Sequence, residues 1–215
     1  MHLTLYSYWR SSASHRVRLA LGYKGIAHDV ITVNLLGGEQ SSDEHIGRAP
    51  SGYVPALKID DESFVESVAI IELLDDLFPQ KPLYPRTAVD RARVRALVET
   101  VNAGIQPLQN LNVLTRYSTD HAARDAWARH YNARGLEVFE RLMERNDARG
   151  VRGKFAYGDE FTAADALLIP QVGAAKRFGV DMTKLPRVSA VIAHSAELPF
   201  VVSAAPENQP DTPNK

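Results

Sequence analysis

The hydrophobic repeat of this 215-residue chain changes character once, at a stretch punctuated by Pro79, Pro82 and Pro85. Before it, short runs of strand-like alternation are interleaved with helical periods. After it, only helical periods remain. Strands and helices that alternate build a sheet with helices on it, whereas helical periods alone build a bundle. The switch therefore predicts a small α/β domain over residues 1–80, a proline-marked linker, and an all-helical domain over residues 86–215. No internal repeat is visible.

Within the first part, Leu3-Thr4-Leu5-Tyr6 alternates like a strand, and Val17, Ala20 and Leu21 share one helical face that Gly25 closes. The β-branched run from Asp29 to Val33 reads as a second strand. Ala56 to Ile59 and Phe64-Val65 flank the turn-forming Asp60-Asp61-Glu62-Ser63, which predicts a hairpin. Val68, Ile71, Leu74 and Leu77 then mark a helix that stops before Pro79. The predicted order is strand, helix, strand, hairpin, helix. In the second part, Val94, Leu97, Val98, Val101, Ile105 and Leu108 form one apolar stripe. Trp127, Tyr131, Val138 and Leu142 form another, and Leu167, Leu168 and Val172 a third. The polar, proline-rich tail from Pro206 to Lys215 is expected to lie extended on the surface.

Composition excludes several classes of function. The formal charge of −1 supplies no basic field for nucleic acid and no polybasic membrane patch. The chain contains no cysteine, so disulfides, cysteine-ligated metals and a protein thiol nucleophile are ruled out. No apolar run reaches membrane-spanning length, and Met1-His2-Leu3-Thr4-Leu5 lacks the features of an export signal. A cytoplasmic location is the expectation, with no metal, membrane or nucleic-acid partner.

Three segments carry chemistry. Tyr8-Trp9-Arg10-Ser11-Ser12-Ala13-Ser14-His15-Arg16-Val17-Arg18 places hydroxyls between a strand and a helix start, where they cap free N–H groups and where the helix dipole favours an anion. Ser51-Gly52-Tyr53-Val54-Pro55-Ala56 puts a proline at the first position of a strand. A trans turn is the common state there, and a cis bond would turn the Val54 backbone outward to pair with an extended peptide. Phe64-Val65-Glu66-Ser67 sets an acid and a hydroxyl at another strand-to-helix junction, a place suited to a carboxylate. Taken singly, ordinary capping accounts for each hydroxyl.

Together, and in this order, the three segments resemble the glutathione-binding half of the glutathione transferase superfamily. The rest of the chain resembles its zeta class through Gly104-Ile105-Gln106-Pro107-Leu108-Gln109-Asn110-Leu111, Asp159-Glu160-Phe161-Thr162-Ala163-Ala164-Asp165, Ile169-Pro170-Gln171-Val172, Arg177-Phe178-Gly179-Val180-Asp181 and Gln209-Pro210-Asp211-Thr212-Pro213. The first of these blocks is expected in the first long helix of the helical domain. Thr162 and Asp165 read as a capping box in which Asp replaces the usual Glu or Gln.

The resemblance implies a thioredoxin-like N-terminal domain followed by an all-helical C-terminal domain, glutathione as cofactor, and a homodimer. It implies cis–trans isomerisation of a small maleyl diacid, converting maleylacetoacetate to fumarylacetoacetate. Maleylpyruvate remains open as the substrate, and so does a general zeta-class transferase or dehalogenase activity. By the same resemblance Ser11 activates the glutathione thiol, with Ser12 next. Ala13, Ser14, His15, Arg16, Gln40, Val54, Glu66 and Ser67 fall in the cofactor-binding set, with Gln106, Asn110, Leu111 and Asn112 approaching from the helical domain. Arg177 is placed on the substrate carboxylates, with Arg10 as the second candidate. The sequence departs from the usual Ser-Ser-Cys-Ser at Ala13, from an aromatic at His15 and from an asparagine at Ala49.

Overall fold

The computed structural model describes residues 1–213. They form two compact units: Met1–Leu83 together with the segment from Leu198 onward, and Tyr84–Glu197.

The first unit is built on four strands in the order β2-β1-β3-β4. β1 (Leu3–Ser7) is buried along its whole length at the centre of the sheet. After it comes α1 (Ser12–Lys24), and β2 (Asp29–Thr32) pairs parallel to β1 as an exposed edge. α2 (Asp43–Arg48) precedes β3 (Ala56–Ile59), which runs antiparallel to β1, and β4 (Glu62–Val65) completes the sheet before α3 (Ser67–Leu77). Gly25 ends α1 in the left-handed conformation at φ 70°, which the absence of a Cβ permits, and its N–H bonds back to the last turn.

Two features differ from expectation. The hairpin turn is shorter, because Asp60 takes φ 51° and the strand resumes at Glu62. α2, preceded by a 3₁₀ turn at Glu39–Ser41, was not anticipated. At six residues it shows little apolar period, although Ser42, whose hydroxyl accepts from the His45 N–H, marks its start.

The second unit is helical: α4 (Ala88–Asn102), α5 (Leu111–Tyr117), α6 (His121–Asp147), α7 (Ala163–Arg177) and α8 (Pro186–Ser195). α4 packs on α6 and α7, and Val94, Leu97, Val98 and Val101 on α4, Leu136 and Phe139 on α6, and Leu167 and Leu168 on α7 are all fully buried. Burial of each such side chain contributes about 1.5–3 kcal/mol. The expected stripe through Ile105 and Leu108 is not one helix. α4 ends at Asn102, and the Gln106-Pro107-Leu108-Gln109 block forms a 3₁₀ turn rather than part of the first long helix. Ile105 still reaches the core because Gly135 on α6 leaves room for it; a Cβ there would lie 2.2 Å from Ile105 Cγ1. On α6 the buried face is Ala128, Asn132, Leu136, Phe139 and Met143. On its flank the Trp127 ring packs against Tyr117 and Tyr131, at centroid separations of 4.3 and 4.7 Å, and Val138 is exposed.

The chain after Leu198 was assigned to the helical domain, and its end was expected to be extended. Both expectations are corrected. α9 (Pro199–Ala204) docks on α1, where Phe200 lies over Gly22 and beside Tyr23 at a ring separation of 5.5 Å. Pro206–Asn208 forms a further 3₁₀ turn, and Gln209 is buried with its amide donating to the Ser203 and Ala205 carbonyls, both at 2.9 Å. The rest of that tail, Asn214 and Lys215, lies outside the described residues.

Candidate functional site

α1 begins where β1 leaves the sheet. Ser11 is its N-cap, in extended backbone (φ −66°, ψ 117°), and its Oγ accepts from the Ser14 N–H at 3.1 Å. A hydroxyl that accepts here keeps its own proton free to donate outward. Ser12 and Ala13 follow, half-buried, while Ser14 is fully buried. No acidic residue occupies the first turn of α1, so its N-terminal partial charge is not neutralised from within. Arg10, exposed beside Ser11 in the chain, lies 5.7 Å from the Trp9 ring centroid.

His15 is buried, and burial, reinforced by the nearby Arg18 guanidinium, pulls its pKa down to about 3. The imidazole is therefore neutral at physiological pH and contributes no cation to the helix start. Arg16 is buried as well, and its guanidinium donates to Ser67 Oγ at 3.1 Å. That bond ties α1 to the start of α3. There Glu66 holds φ 67° and ψ 112°, a conformation that costs a side-chain-bearing residue about 1–3 kcal/mol, and its side chain makes no capping bond. α3, like α1, has no acid in its first turn.

The Val54–Pro55 peptide is cis. The preceding residue is fixed by α2: buried His45 donates from Nε2 to the Tyr53 carbonyl at 3.0 Å. Gln40, in the 3₁₀ turn at Glu39–Ser41, backs onto Gly52, where a Cβ would stand 3.3 Å from the Gln40 carbonyl oxygen. Gly52 itself sits at φ 67°. Buried polar atoms around this end of the unit have no partner among the described residues: Tyr8 Oη, Ser14 Oγ and Gln40 Oε1. A buried polar atom without a partner costs about 1–3 kcal/mol, so these atoms suit a polar ligand.

In the helical unit, Gln106 donates to Asn110 Oδ1 at 2.7 Å, and Asn110 is the N-cap of α5. Leu111 is exposed, as is Asn112. Arg177 lies exposed in the last turn of α7. A polar network absent from the sequence-based set lies nearby in the chain. Gln109 Oε1 accepts from buried Asn132 at 2.6 Å and from buried Gln171 at 3.2 Å, and Gln171 donates to Asn132 Oδ1 at 2.6 Å. A polar residue at a helix position between apolar neighbours, as at Asn132 and Gln171, is the signal that marks such a network. Arg18, between Val17 and Leu19 on α1, carries the same mark, whereas His45 carries none.

Residues 5–82 match the glutathione S-transferase N-terminal domain. Maleylacetoacetate isomerase of Dictyostelium discoideum is 42% identical over 212 residues, spanning 96% of this chain and 94% of that protein. The holo structure of a maleylpyruvate isomerase, a bacterial zeta-class glutathione S-transferase, overlays with a TM-score of 0.92 at 38% identity, covering 97% of this chain and 99% of that one. This chain belongs to the zeta class of the glutathione S-transferase family.

Maleylacetoacetate isomerase from Anaeromyxobacter dehalogenans, with bound dicarboxyethyl glutathione and citrate in its active site, overlays with a TM-score of 0.87 at 40% identity, covering 99% and 94% of the two chains. Zeta-class membership gives the sequence departures their context. Ala13 leaves this zeta-class chain without a thiol at its helix start, so any sulfur chemistry must be brought in by a ligand.

Proposed function

We infer that this protein is a glutathione-dependent cis–trans isomerase of a maleyl diacid, converting maleylacetoacetate to fumarylacetoacetate. One observation carries the reading. α1 begins on a hydroxyl cap with no carboxylate to neutralise it, beside buried polar atoms that suit a ligand. The names of its zeta-class relatives support the same reading.

Bound glutathione supplies a thiolate that adds reversibly to the conjugated double bond and so permits rotation about it. The chain's part is to hold that sulfur as an anion. Lowering a thiol from about 8.5 by roughly two units corresponds to nearly 3 kcal/mol of preference for the charged form. A hydroxyl donating to an anion supplies about 1.5–3 kcal/mol, and a helix N-terminus about 0.3–1 kcal/mol. Ser11 and the α1 dipole together meet that requirement, with Ser12 as the adjacent hydroxyl. Ser14 and His15 complete the helix start, and His15 does so uncharged.

The remaining residues bind and orient. Val54 offers its backbone to the glutathione peptide, and Gln40 its side-chain oxygen. Glu66 faces the γ-glutamyl amine, while Ser67, set by Arg16, holds the neighbouring carboxylate at the start of α3. Gln106, Asn110, Leu111 and Asn112 complete the cofactor set. Two substrate carboxylates call for guanidinium partners, and we assign Arg177 first and Arg10 second. A homodimer and a cytoplasmic location belong to the same reading and are checked by light scattering and cell fractionation.

Maleylpyruvate is the second candidate substrate, favoured by the closeness of the fold overlay with the enzyme that is named for it. Assay of both diacids with and without glutathione separates the readings. Turnover of one diacid only in the presence of glutathione is expected. Equal turnover without the tripeptide removes the proposal, and release of a stable conjugate converts it into a transferase activity.

A further inference from the structure

Ser11 is reached from β1 through Tyr8, Trp9 and Arg10, a turn whose polar groups are held by two residues far apart in sequence. The Trp9 N–H donates to Asp211 Oδ2 at 2.9 Å, and the Trp9 carbonyl accepts from the Arg18 guanidinium at 3.1 Å. Arg18 also donates to Ser7 Oγ at 3.0 Å and to the Tyr8 carbonyl at 3.4 Å, while its Nε donates to the Ala204 carbonyl at 2.9 Å. Its side chain is buried in α1. Trp9 therefore sits with its N–H toward a carboxylate and its C=O toward a guanidinium, each charge-assisted bond stronger than a neutral one. Ser11 follows two residues later, and its N–H donates back to the Tyr8 carbonyl at 3.0 Å.

Asp211 is not a loose tail residue. Gln209 anchors the tail by two bonds to the end of α9, Thr212 Oγ1 donates to the Pro206 carbonyl, and the Thr212 N–H donates to the Gln209 carbonyl at 3.3 Å. Pro210 and Pro213 restrict the segment between and beyond. This folded tail contributes no apolar side chain other than prolines, so its docking is polar and directional. A structure of this kind fixes geometry rather than adding core.

We propose that Asp211, presented by the C-terminal tail, is a positioning residue for Ser11 that acts through the Trp9 peptide, a role that rests on Ser11 being the hydroxyl that activates glutathione. Removal of the carboxylate leaves the Trp9 N–H without its acceptor and the Arg18 charge without its counterpart. The turn is then free to shift, and displacement of a catalytic group by about 1 Å costs up to roughly 100-fold in rate.

The test compares Asp211→Ala, Asp211→Asn and Ser11→Ala in the full chain. Thiolate absorbance of bound glutathione against pH gives the thiol pKa, calorimetry gives glutathione affinity, and steady-state kinetics separates kcat from KM. Asp211→Ala is expected to raise the thiol pKa by roughly half to one unit and to lower kcat about 3- to 10-fold, with the KM of the diacid within about twofold of the parent. Asp211→Asn, whose amide oxygen still accepts from Trp9, is expected to recover at least half of that loss, which a role confined to folding does not predict. A thiol pKa and kcat unchanged in Asp211→Ala overturn the proposal, as does a loss confined to melting temperature. Should Asp211→Ala not fold, Gln209→Ala, which loosens the tail while keeping the carboxylate, is expected to shift the thiol pKa in the same direction, and no shift overturns the proposal. If Ser11→Ala leaves the thiol pKa untouched while Asp211→Ala raises it, the assignment of Ser11 fails, and with it the stated target of Asp211.

Discussion

The two units treat the N-termini of their longer helices in opposite ways. In the helical unit each of them meets a carboxylate. Asp90 closes α4 with Thr87, Asp120 accepts from the Ala122 and Ala123 N–H groups at the start of α6, and Asp165 closes α7. Glu140, reaching from α6, takes the Arg187 and Val188 N–H groups of α8 at 2.8 and 2.9 Å. In the first unit α1 is capped by Ser11 and α3 by Glu66, neither helix has an acid in its first turn, and the Glu66 side chain makes no capping bond. The contrast is sharpest between Ser11-Ser12-Ala13-Ser14 and Thr162-Ala163-Ala164-Asp165, which occupy the same four helical positions. The second is neutralised from within by Asp165; the first has no acid of its own, which is what its proposed role as an anion site rests on. A shared local motif thus serves two purposes, decided by a single residue at the third helical position.

The largest expected effect is on the closed terminus. Asp165 accepts from the Ala156 N–H at 2.7 Å, the Thr162 N–H at 2.9 Å and the Thr162 hydroxyl at 3.0 Å, all buried. Asp165→Ala strands two buried N–H groups and is expected to cost about 2–4 kcal/mol of unfolding free energy in urea, with glutathione affinity unchanged. If glutathione binding weakens along with stability, the division of labour between the two termini is wrong. The complementary change at the open terminus is Ser11→Ala. It is expected to lower kcat about 10- to 100-fold, matching loss of a hydrogen bond to a charged sulfur, and to raise the thiol pKa. The replacement also removes the α1 cap, so a loss of about 1 kcal/mol in stability accompanies it. A stability loss without any kinetic change would return Ser11 to mere capping.

The comparison extends to pH, because each terminus holds a buried group whose pKa is shifted by burial, and the two respond oppositely. Burial depresses His15 to about 3 from 6.5. Its contribution to stability is therefore fully present above pH 6.5 and is lost as pH falls toward 3. Burial raises Asp165 to about 6 from 3.8, against the hydrogen bonds that favour its charged form. That contribution is fully present below 3.8 and is lost as pH rises through 6. Between those limits the two partly cancel. His15→Phe removes the first, so the variant is expected to lose less stability than the parent between pH 6.5 and 4.5, by about 2 kcal/mol. Parallel stability curves for the two proteins would mean that His15 is not held neutral.

What the sequence revealed followed the range of the interactions involved. α1, its hydroxyl cap, Gly25 and the Thr162–Asp165 box were legible because caps act within one helical turn. The apolar stripe of α4 was legible because its neighbours are all large and aliphatic. α6 misled, since its buried face uses Ala128, Asn132 and Gly135, while the conspicuous Trp127 and Tyr131 pack on the flank. The partners of the Arg18 clamp and the docking of the tail were not legible. Arg18 lies between Val17 and Leu19, which marks it as buried, but its partners lie as far away as Ala204 and nothing local names them. A polar tail with three prolines carries no period, so only tertiary contact shows that it folds. Ser11, Glu66 and Ser67, proposed for the site, lie at helix starts, which local signals mark, whereas the elements that hold those starts in place depend on tertiary contact.

The smallest expected effect concerns the second open terminus, and it separates geometry from charge. Glu66 is exposed at φ 67° immediately before Ser67, so α3 starts from a backbone conformation that suits glycine better. Nothing in the fold requires the acid there, since its side chain makes no capping bond. Strain retained at an exposed position is explained if the carboxylate is needed for a ligand amine. Glu66→Gly is then expected to raise stability by roughly 0.5–1 kcal/mol, the strain relieved less the extra chain entropy of glycine, while weakening glutathione about 5- to 10-fold. Glu66→Gln keeps the strain and removes the charge, so it is expected to weaken glutathione to a similar extent with no gain in stability. If the glutamine variant binds as tightly as the parent, α3 holds its ligand by the helix start and Ser67 alone, and the open terminus needs no help from an added charge.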